Sequence, residues 1–155
     1  GTSGIDGVIS TARGAAVAHA DRQPAATTYA LIGDLTAIYD RNGLLAPASE
    51  SRPRLDDVVV DNDGGGIFSS LEQGAPDFAR DFERVFGTPH GGELEGLLAA
   101  PGITVVSVET AADLSRVLSE GADGVRVIVA RCSSRAAEAE LIRAVQTSVD
   151  AALAR

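Results

Sequence analysis

Short apolar runs alternate with stretches of helical period along this chain, and that alternation limits its fold more than any other feature. The strand-like runs are 28–33, 55–60, 103–108 and 125–130. Residues 55–60 read as one continuous apolar strand, the kind found in parallel sheets covered on both faces. Ile5, Val8, Ile9, Ala12 and Ala16 recur at helical spacing and predict a helix over about 5–19. Residues 35–45 read as a short helix with Leu35, Ile38 and Tyr39 on one side, and 93–99 as another. Thr110 and Asp113 form a capping-box-like pair that opens a helix stopping at Gly121. Ser134 caps a last helix, whose apolar face would be Leu141, Ile142, Val145, Val149, Ala152 and Leu153. Residues 46–54 form a polar loop, 61–66 an abrupt turn, and 67–92 a mixture of short helical pieces and loops. The predicted class is α/β: an open, mainly parallel sheet with right-handed crossovers and helices on both faces. The 155 residues suit a single domain, and a chain opening at Gly1 without methionine reads as a piece of a longer protein.

Composition removes several function classes. Acidic side chains number 22 against 13 basic ones, for a net charge of −9 without a basic cluster, so neither nucleic acid nor an anionic membrane surface is an expected partner. Every basic residue is arginine, which excludes a P-loop lysine and a Schiff-base lysine. No apolar run approaches the roughly 18–20 residues that span a bilayer, and no signal peptide is visible. The lone Cys132 forms no intramolecular disulfide, fits a reducing, cytoplasmic setting, and is expected to be a buried small hydrophobe at a strand end.

In an open α/β sheet, ligands bind beyond the carboxyl ends of the strands. Two such ends carry unusual polar residues here: Gly33-Asp34, which opens a helix directly, and the run Asp-Asn-Asp-Gly-Gly-Gly at 61–66. One strand–helix–strand excursion separates Asp34 from Asn62, so both could reach the same rim. These residue types suit a hard divalent cation bound with a diphosphate. Asp34 offers a carboxylate, Asn62 an amide oxygen and Gly64 a main-chain carbonyl, and magnesium takes few protein ligands alongside phosphate and water. Gly64, Gly65 and Gly66 let the backbone approach a phosphate closely, and helix starts near Asp34 and Ile67 would add N–H donors.

Gly33-Asp34 followed 28 residues later by Asn62 is similar to the thiamine diphosphate signature, which opens Gly-Asp-Gly and closes Asn-Asn; Leu35 and Asp61 depart from it. Residues 1–7 (Gly-Thr-Ser-Gly-Ile-Asp-Gly), 33–36, 61–68 with Leu71, and 82–87 (Phe-Glu-Arg-Val-Phe-Gly) together resemble the 2-succinyl-5-enolpyruvyl-6-hydroxy-3-cyclohexene-1-carboxylate synthase family, in its C-terminal thiamine diphosphate-binding domain. The similarity runs from residue 1 to about 100 and becomes generic beyond. The resemblance implies the thiamine diphosphate-binding fold. It assigns Asp34, Asn62 and the Gly64 carbonyl to Mg2+. It puts Gly33, Leu35, Thr36, Gly65 and Gly66 at the diphosphate, Ser3, Gly4 and Ile5 at the thiamine moiety, and Ile67, Phe68 and Leu71 on the substrate wall. It also implies menaquinone-pathway chemistry: decarboxylation of 2-oxoglutarate and addition of the succinyl carbanion to isochorismate.

The family's cofactor lies between this domain and a pyrimidine-binding domain of another subunit, so a homo-oligomer is implied. The activating glutamate belongs to that other domain, so the fragment alone should be inactive. Three alternatives stay open: an acetolactate-synthase-like relative, a Rossmann dinucleotide binder, which would need glycines absent after Gly33, and a non-catalytic interaction module. Outside the motif, His90 is expected in a surface loop and His19 at a helix end. Arg80, Glu83 and Arg84 are expected to be solvated, with Arg84 a lesser candidate for a substrate carboxylate.

Overall fold

The computed structural model describes residues 4–132 and 134–154. It divides into two compact units, Gly1–Asp61 with Gly92–Arg131, and Asn62–Gly91 with Cys132–Arg155.

The first unit is built on a sheet. Its helices α1 (Val8–Ala20) and α2 (Asp34–Tyr39), its strands β1 (Thr28–Gly33) and β2 (Leu55–Asp61) and a 3-10 turn at Arg41–Leu44 come from the first segment. After the second unit's α3 (Ala79–Phe82), the chain returns with α4 (Leu94–Leu98), β3 (Thr104–Val108), α5 (Ala111–Glu120) and β4 (Val125–Arg131). The four strands lie in the order β1-β2-β4-β3 and all pair in parallel. Leu55, Val59, Val125, Val127 and Val129 bury one face with Ile9, Ala16, Ala37, Leu44, Leu94 and Leu98. Val58 and Ile128 bury the other with Val108 and Val117. The α/β expectation therefore holds, helices on both faces included.

Several boundaries moved for physical reasons. α1 starts at Val8 because Gly7 adopts a left-handed φ of 75° ahead of it. Ile5 is thus outside the helix and exposed. The N–H of Ser10 in the first turn of α1 donates to Asp40 Oδ2 at 2.7 Å, and the Ser10 hydroxyl donates to Asp40 Oδ1 at 3.0 Å. The cap is therefore a tertiary one. The predicted 35–45 helix is α2 followed by the 3-10 turn; the inward residues are Asp34 and Ala37 of α2 and Leu44 of the turn, and Tyr39 is exposed.

β2 is not continuously apolar. Asp56 and Asp57 stand in it and both are fully buried. The register sets Asp56 opposite Arg126 of β4. Arg126 Nε and Nη2 donate to Asp56 Oδ1 and Oδ2 at 2.7 and 2.9 Å, and Nη2 also donates to Val117 O at 2.9 Å. The hydrogen bonds with Asp56 hold the Arg126 guanidinium above its usual pKa. Asp57 points to the opposite, apolar face, and neither of its carboxyl oxygens has a hydrogen-bond partner among the described residues. Desolvation, then the neighbouring Asp56 charge, pushes Asp57 up to about 7.

The second unit contains α3, α6 (Arg135–Leu153), a π turn at Glu83–Gly87 and 3-10 turns at Gly66–Ser70, Glu72–Gly74 and Pro76–Phe78. Ser134 Oγ accepts the Ala137 N–H at 3.1 Å, the expected cap. The anticipated apolar face of α6 is not buried: Leu141, Ile142, Val145, Val149 and Leu153 are all exposed. Cys132 is likewise exposed, contrary to the core reading, because it follows the end of β4 rather than lying within it. No helix among the described residues is long and apolar enough to cross a membrane.

Candidate functional site

Each unit holds part of the predicted constellation. In the sheet unit, β1 ends at Gly33 in extended geometry (φ −84°, ψ 164°) and the chain turns at once into α2. Asp34 is the first residue of that helix and only 2% exposed, with Oδ1 accepting the N–H of Leu35 at 2.6 Å. Leu35 and Thr36 are half-buried in the same turn. Because β1 and β2 pair in parallel, Asp61 at the tip of β2 comes beside Asp34, with carboxylate oxygens within 4.8 Å. Two carboxylates this close repel each other, and a cation reverses that repulsion. Asp61, an unexplained departure from the motif in the sequence, therefore adds a second acid at the strand tips.

The next strand tip, Arg131 of β4, donates to Glu93 Oε2 at 2.8 Å and Glu95 Oε1 at 2.7 Å. Hydrogen bonds from Arg131 and then Ser107 hold Glu95 down at about 2, and those from Glu95 and then Glu93 raise Arg131. The rim thus carries fixed charges of both signs.

In the second unit, the turn at 62–66 is shaped by backbone packing. Asp63 and Thr88 are the non-glycine residues with positive φ among those described, at 60° and 39°. Gly64 has φ 127°, and a Cβ there would strike the Gly87 carbonyl; at Gly65 it would strike the Phe86 carbonyl, and at Gly66 the Asn62 amide nitrogen. The three glycines are therefore required by close approach and, at Gly64, by dihedral angle. The Gly65 N–H donates to Gly87 O at 2.7 Å and the Gly66 N–H to Gly64 O at 2.9 Å. Gly91 N–H donates to Asp63 Oδ1 at 3.0 Å, with His90 Nε2 3.7 Å from the same oxygen. The His90 side chain is 9% exposed, so it is largely buried, contrary to the surface-loop expectation. Arg135 of α6 donates to the Asp63 carbonyl and to Glu83.

Asn62 Nδ2 donates to Glu138 Oε2 at 2.6 Å, and Asn62 Oδ1 is buried without a hydrogen-bond partner among the described residues. An unsatisfied amide oxygen in a buried position is costly unless something else binds it. This atom is the one the motif gives to a cation, and on that ground the residues present fit a diphosphate-bound Mg2+.

The predicted wall residues are not core. Ile67 and Leu71 are 68% and 49% exposed, while Phe68 meets Phe86 in a tilted contact with centroids 5.4 Å apart. Gly4 and Ile5 lie in the exposed turn before α1, and Ser3 falls outside the described residues. Arg80 and Arg84 are exposed as expected, as is Glu83, which nonetheless holds Arg135. His19 meets the Thr28 hydroxyl at 3.0 Å. The sequence pointed to neither Glu138 nor Arg135: both are on the last helix, far along the chain from the loop they hold.

No family model matches the chain. It is 51% identical over 154 residues, 99% of its length, to the 2-succinyl-5-enolpyruvyl-6-hydroxy-3-cyclohexene-1-carboxylate synthase of Thermobifida fusca. It is 52% identical over 129 residues, 83% of its length, to the synthase of the same name from Nocardia farcinica. A third such synthase, from Mycobacterium avium, is 42% identical over 154 residues, 99% of the chain. The matched regions make up 26%, 23% and 27% of those proteins, so the chain spans about a quarter of the length of the curated relatives it matches.

Proposed function

We propose, from the premise that this chain belongs to the 2-succinyl-5-enolpyruvyl-6-hydroxy-3-cyclohexene-1-carboxylate synthase family, that it supplies the magnesium and diphosphate half of a thiamine diphosphate site. The intact enzyme would be a transferase of menaquinone biosynthesis that joins 2-oxoglutarate, with loss of carbon dioxide, to isochorismate. The observation that carries the reading is the buried, unpartnered Oδ1 of Asn62, at the motif position that calls for a metal ligand.

In this proposal Asp34 gives a carboxylate oxygen, Asn62 its Oδ1 and Gly64 its carbonyl to Mg2+, with diphosphate oxygens and water completing the shell. When bound, thiamine diphosphate supplies the nucleophilic carbon and the electron sink for decarboxylation. The chain's own residues anchor, orient and exclude water. Asp61 adds negative charge beside Asp34 and so favours the dication. Gly33, Leu35, Thr36, Gly65 and Gly66 let the main chain lie against the diphosphate. Gly4 and Ile5 hold the thiamine end, as would Ser3. Ile67, Phe68 and Leu71 form an apolar wall at the reacting carbon, and the exposure of Ile67 and Leu71 supports their facing something other than this chain's core. The remainder of the cofactor site, with the activating glutamate, would come from the pyrimidine-binding domain of another subunit.

Calorimetry with thiamine diphosphate tests the proposal in the intact synthase. Binding should require Mg2+ and should be lost in Asp34→Ala; equal binding by wild type and variant would remove the metal assignment. The 155-residue chain alone should turn over no 2-oxoglutarate and isochorismate, and measurable product from it would overturn the divided site.

A further inference from the structure

An asparagine amide can present either its oxygen or its NH2 group to a neighbour, and only the oxygen can bind a cation. Something must therefore choose the orientation of Asn62. The structure provides a single hydrogen-bond partner for that side chain among the described residues, the Glu138 carboxylate, which lies 2.6 Å from Nδ2. An ionised carboxylate only accepts hydrogen bonds, so the NH2 group is the end that faces it and Oδ1 is turned to the other side. There Oδ1 is buried without a partner among the described residues.

Glu138 is well placed to hold this arrangement. It lies in the first turn of α6, where Ser134 caps the helix and accepts the Glu138 N–H at 3.1 Å through its carbonyl. A carboxylate in a helix's first turn is also favoured by the backbone dipoles. Gly66 keeps the pair apposed: a Cβ on that residue would run into Asn62 Nδ2 and come within 2.9 Å of Glu138 Oε2.

We propose that Glu138 is a positioning residue that fixes the Asn62 amide so that its oxygen is presented to the diphosphate-bound cation. This rests on the reading of Asn62 as a metal ligand. Glu138 touches neither metal nor cofactor; it acts through Asn62 and makes the ligand preorganised rather than rotationally averaged.

The test measures Mg2+ affinity by calorimetry on the intact synthase at saturating thiamine diphosphate. E138L, which removes the acceptor, should weaken Mg2+ binding about tenfold. E138Q, which keeps an acceptor oxygen without the charge, should weaken it less, about threefold. In the N62D background either rotamer presents an oxygen, so E138L should change Mg2+ affinity less than about twofold. An equal loss from E138L in both backgrounds would assign Glu138 a purely electrostatic or structural role and overturn the proposal. Unchanged affinity in E138L, with binding lost in N62A, would overturn it too while leaving the metal site standing. Unchanged affinity in N62A would remove the metal site itself, and the proposal with it.

Discussion

The sheet unit and the loop-helix unit are held together by different physics. Of the buried apolar residues, all but Ala139 lie in the sheet unit, among the described residues. Both sheet faces there are closed by valine, leucine and isoleucine. The second unit instead leaves Ile67, Leu71, Phe78, Val85, Leu141, Ile142, Val145, Val149 and Leu153 exposed. Its order comes from glycines pressed against carbonyls, two non-glycine residues at positive φ, and side chains such as Arg135 and Glu138 that bond to loop atoms. Burial of apolar area is a large, non-directional source of stability, whereas tight turns and polar contacts fix local geometry with little of it. The comparison teaches that the first unit is built on a buried core and the second on turn geometry and side-chain hydrogen bonds.

The largest expected effect is in the scaffold. Arg126→Met would leave Asp56 charged, buried and next to Asp57, and should cost about 3–5 kcal/mol by urea unfolding. The D56V/R126M pair should recover most of that loss, because replacing a buried ion pair with apolar groups is often neutral. A single variant as stable as wild type would show that the sheet unit does not depend on its polar register.

A smaller effect tracks pH. Asp57 titrates at about 7 in the fold against a usual 3.8, so between those values the folded state binds the extra proton. The associated stability is fully present below the lower value, falls as pH rises toward 7, and is flat above. From pH 5 to 7 the loss should be about 2 kcal/mol. Asp57→Val should abolish that slope and be the more stable protein at pH 7.5. A variant with the wild-type slope would assign the titration to another group.

In the second unit, Gly64→Ala meets both a left-handed φ and the Gly87 carbonyl, local strain of about 1–3 kcal/mol. It should abolish Mg2+-dependent thiamine diphosphate binding while moving the urea midpoint of the sheet unit little. A variant that loses sheet stability and keeps cofactor binding would invert the comparison.

The same contrast explains what the sequence made legible. α5 was readable because its cap Thr110, its apolar stripe and its stop at Gly121 are contiguous. The strands were readable from their largely apolar runs, although β2 carries Asp56 and Asp57 where a continuous run was expected, and the positions of Asp34 and Asn62 just beyond β1 and β2 from their motif. What stayed hidden depends on partners far along the chain. Asp40 caps α1 from 30 residues away, Asp56 meets Arg126 across 70, and Asn62 meets Glu138 across 76. Leu141 and its neighbours had a helical period, but period alone does not say whether a stripe is covered, and theirs is exposed. The loop 67–92 resisted reading because 3-10 and π turns leave no simple hydrophobic repeat.

The smallest effect gives the most even-handed test, because each unit has one matched helix cap. Thr110 Oγ1 accepts the Asp113 N–H at 3.1 Å, and Ser134 Oγ accepts the Ala137 N–H at the same distance. Replacing either with alanine removes one such bond, worth about 1 kcal/mol. In a cooperatively buried scaffold that loss is shared by every residue, so Thr110→Ala should lower the global unfolding free energy by the full amount. In a unit without a comparable apolar core, the first turn of α6 opens by itself. Ser134→Ala should therefore speed hydrogen exchange of the α6 amides by about fivefold while leaving sheet amides at wild-type protection. Equal global losses from both caps would mean that the two units unfold as one, and that the division between the core-built and the loop-built unit is not an energetic one.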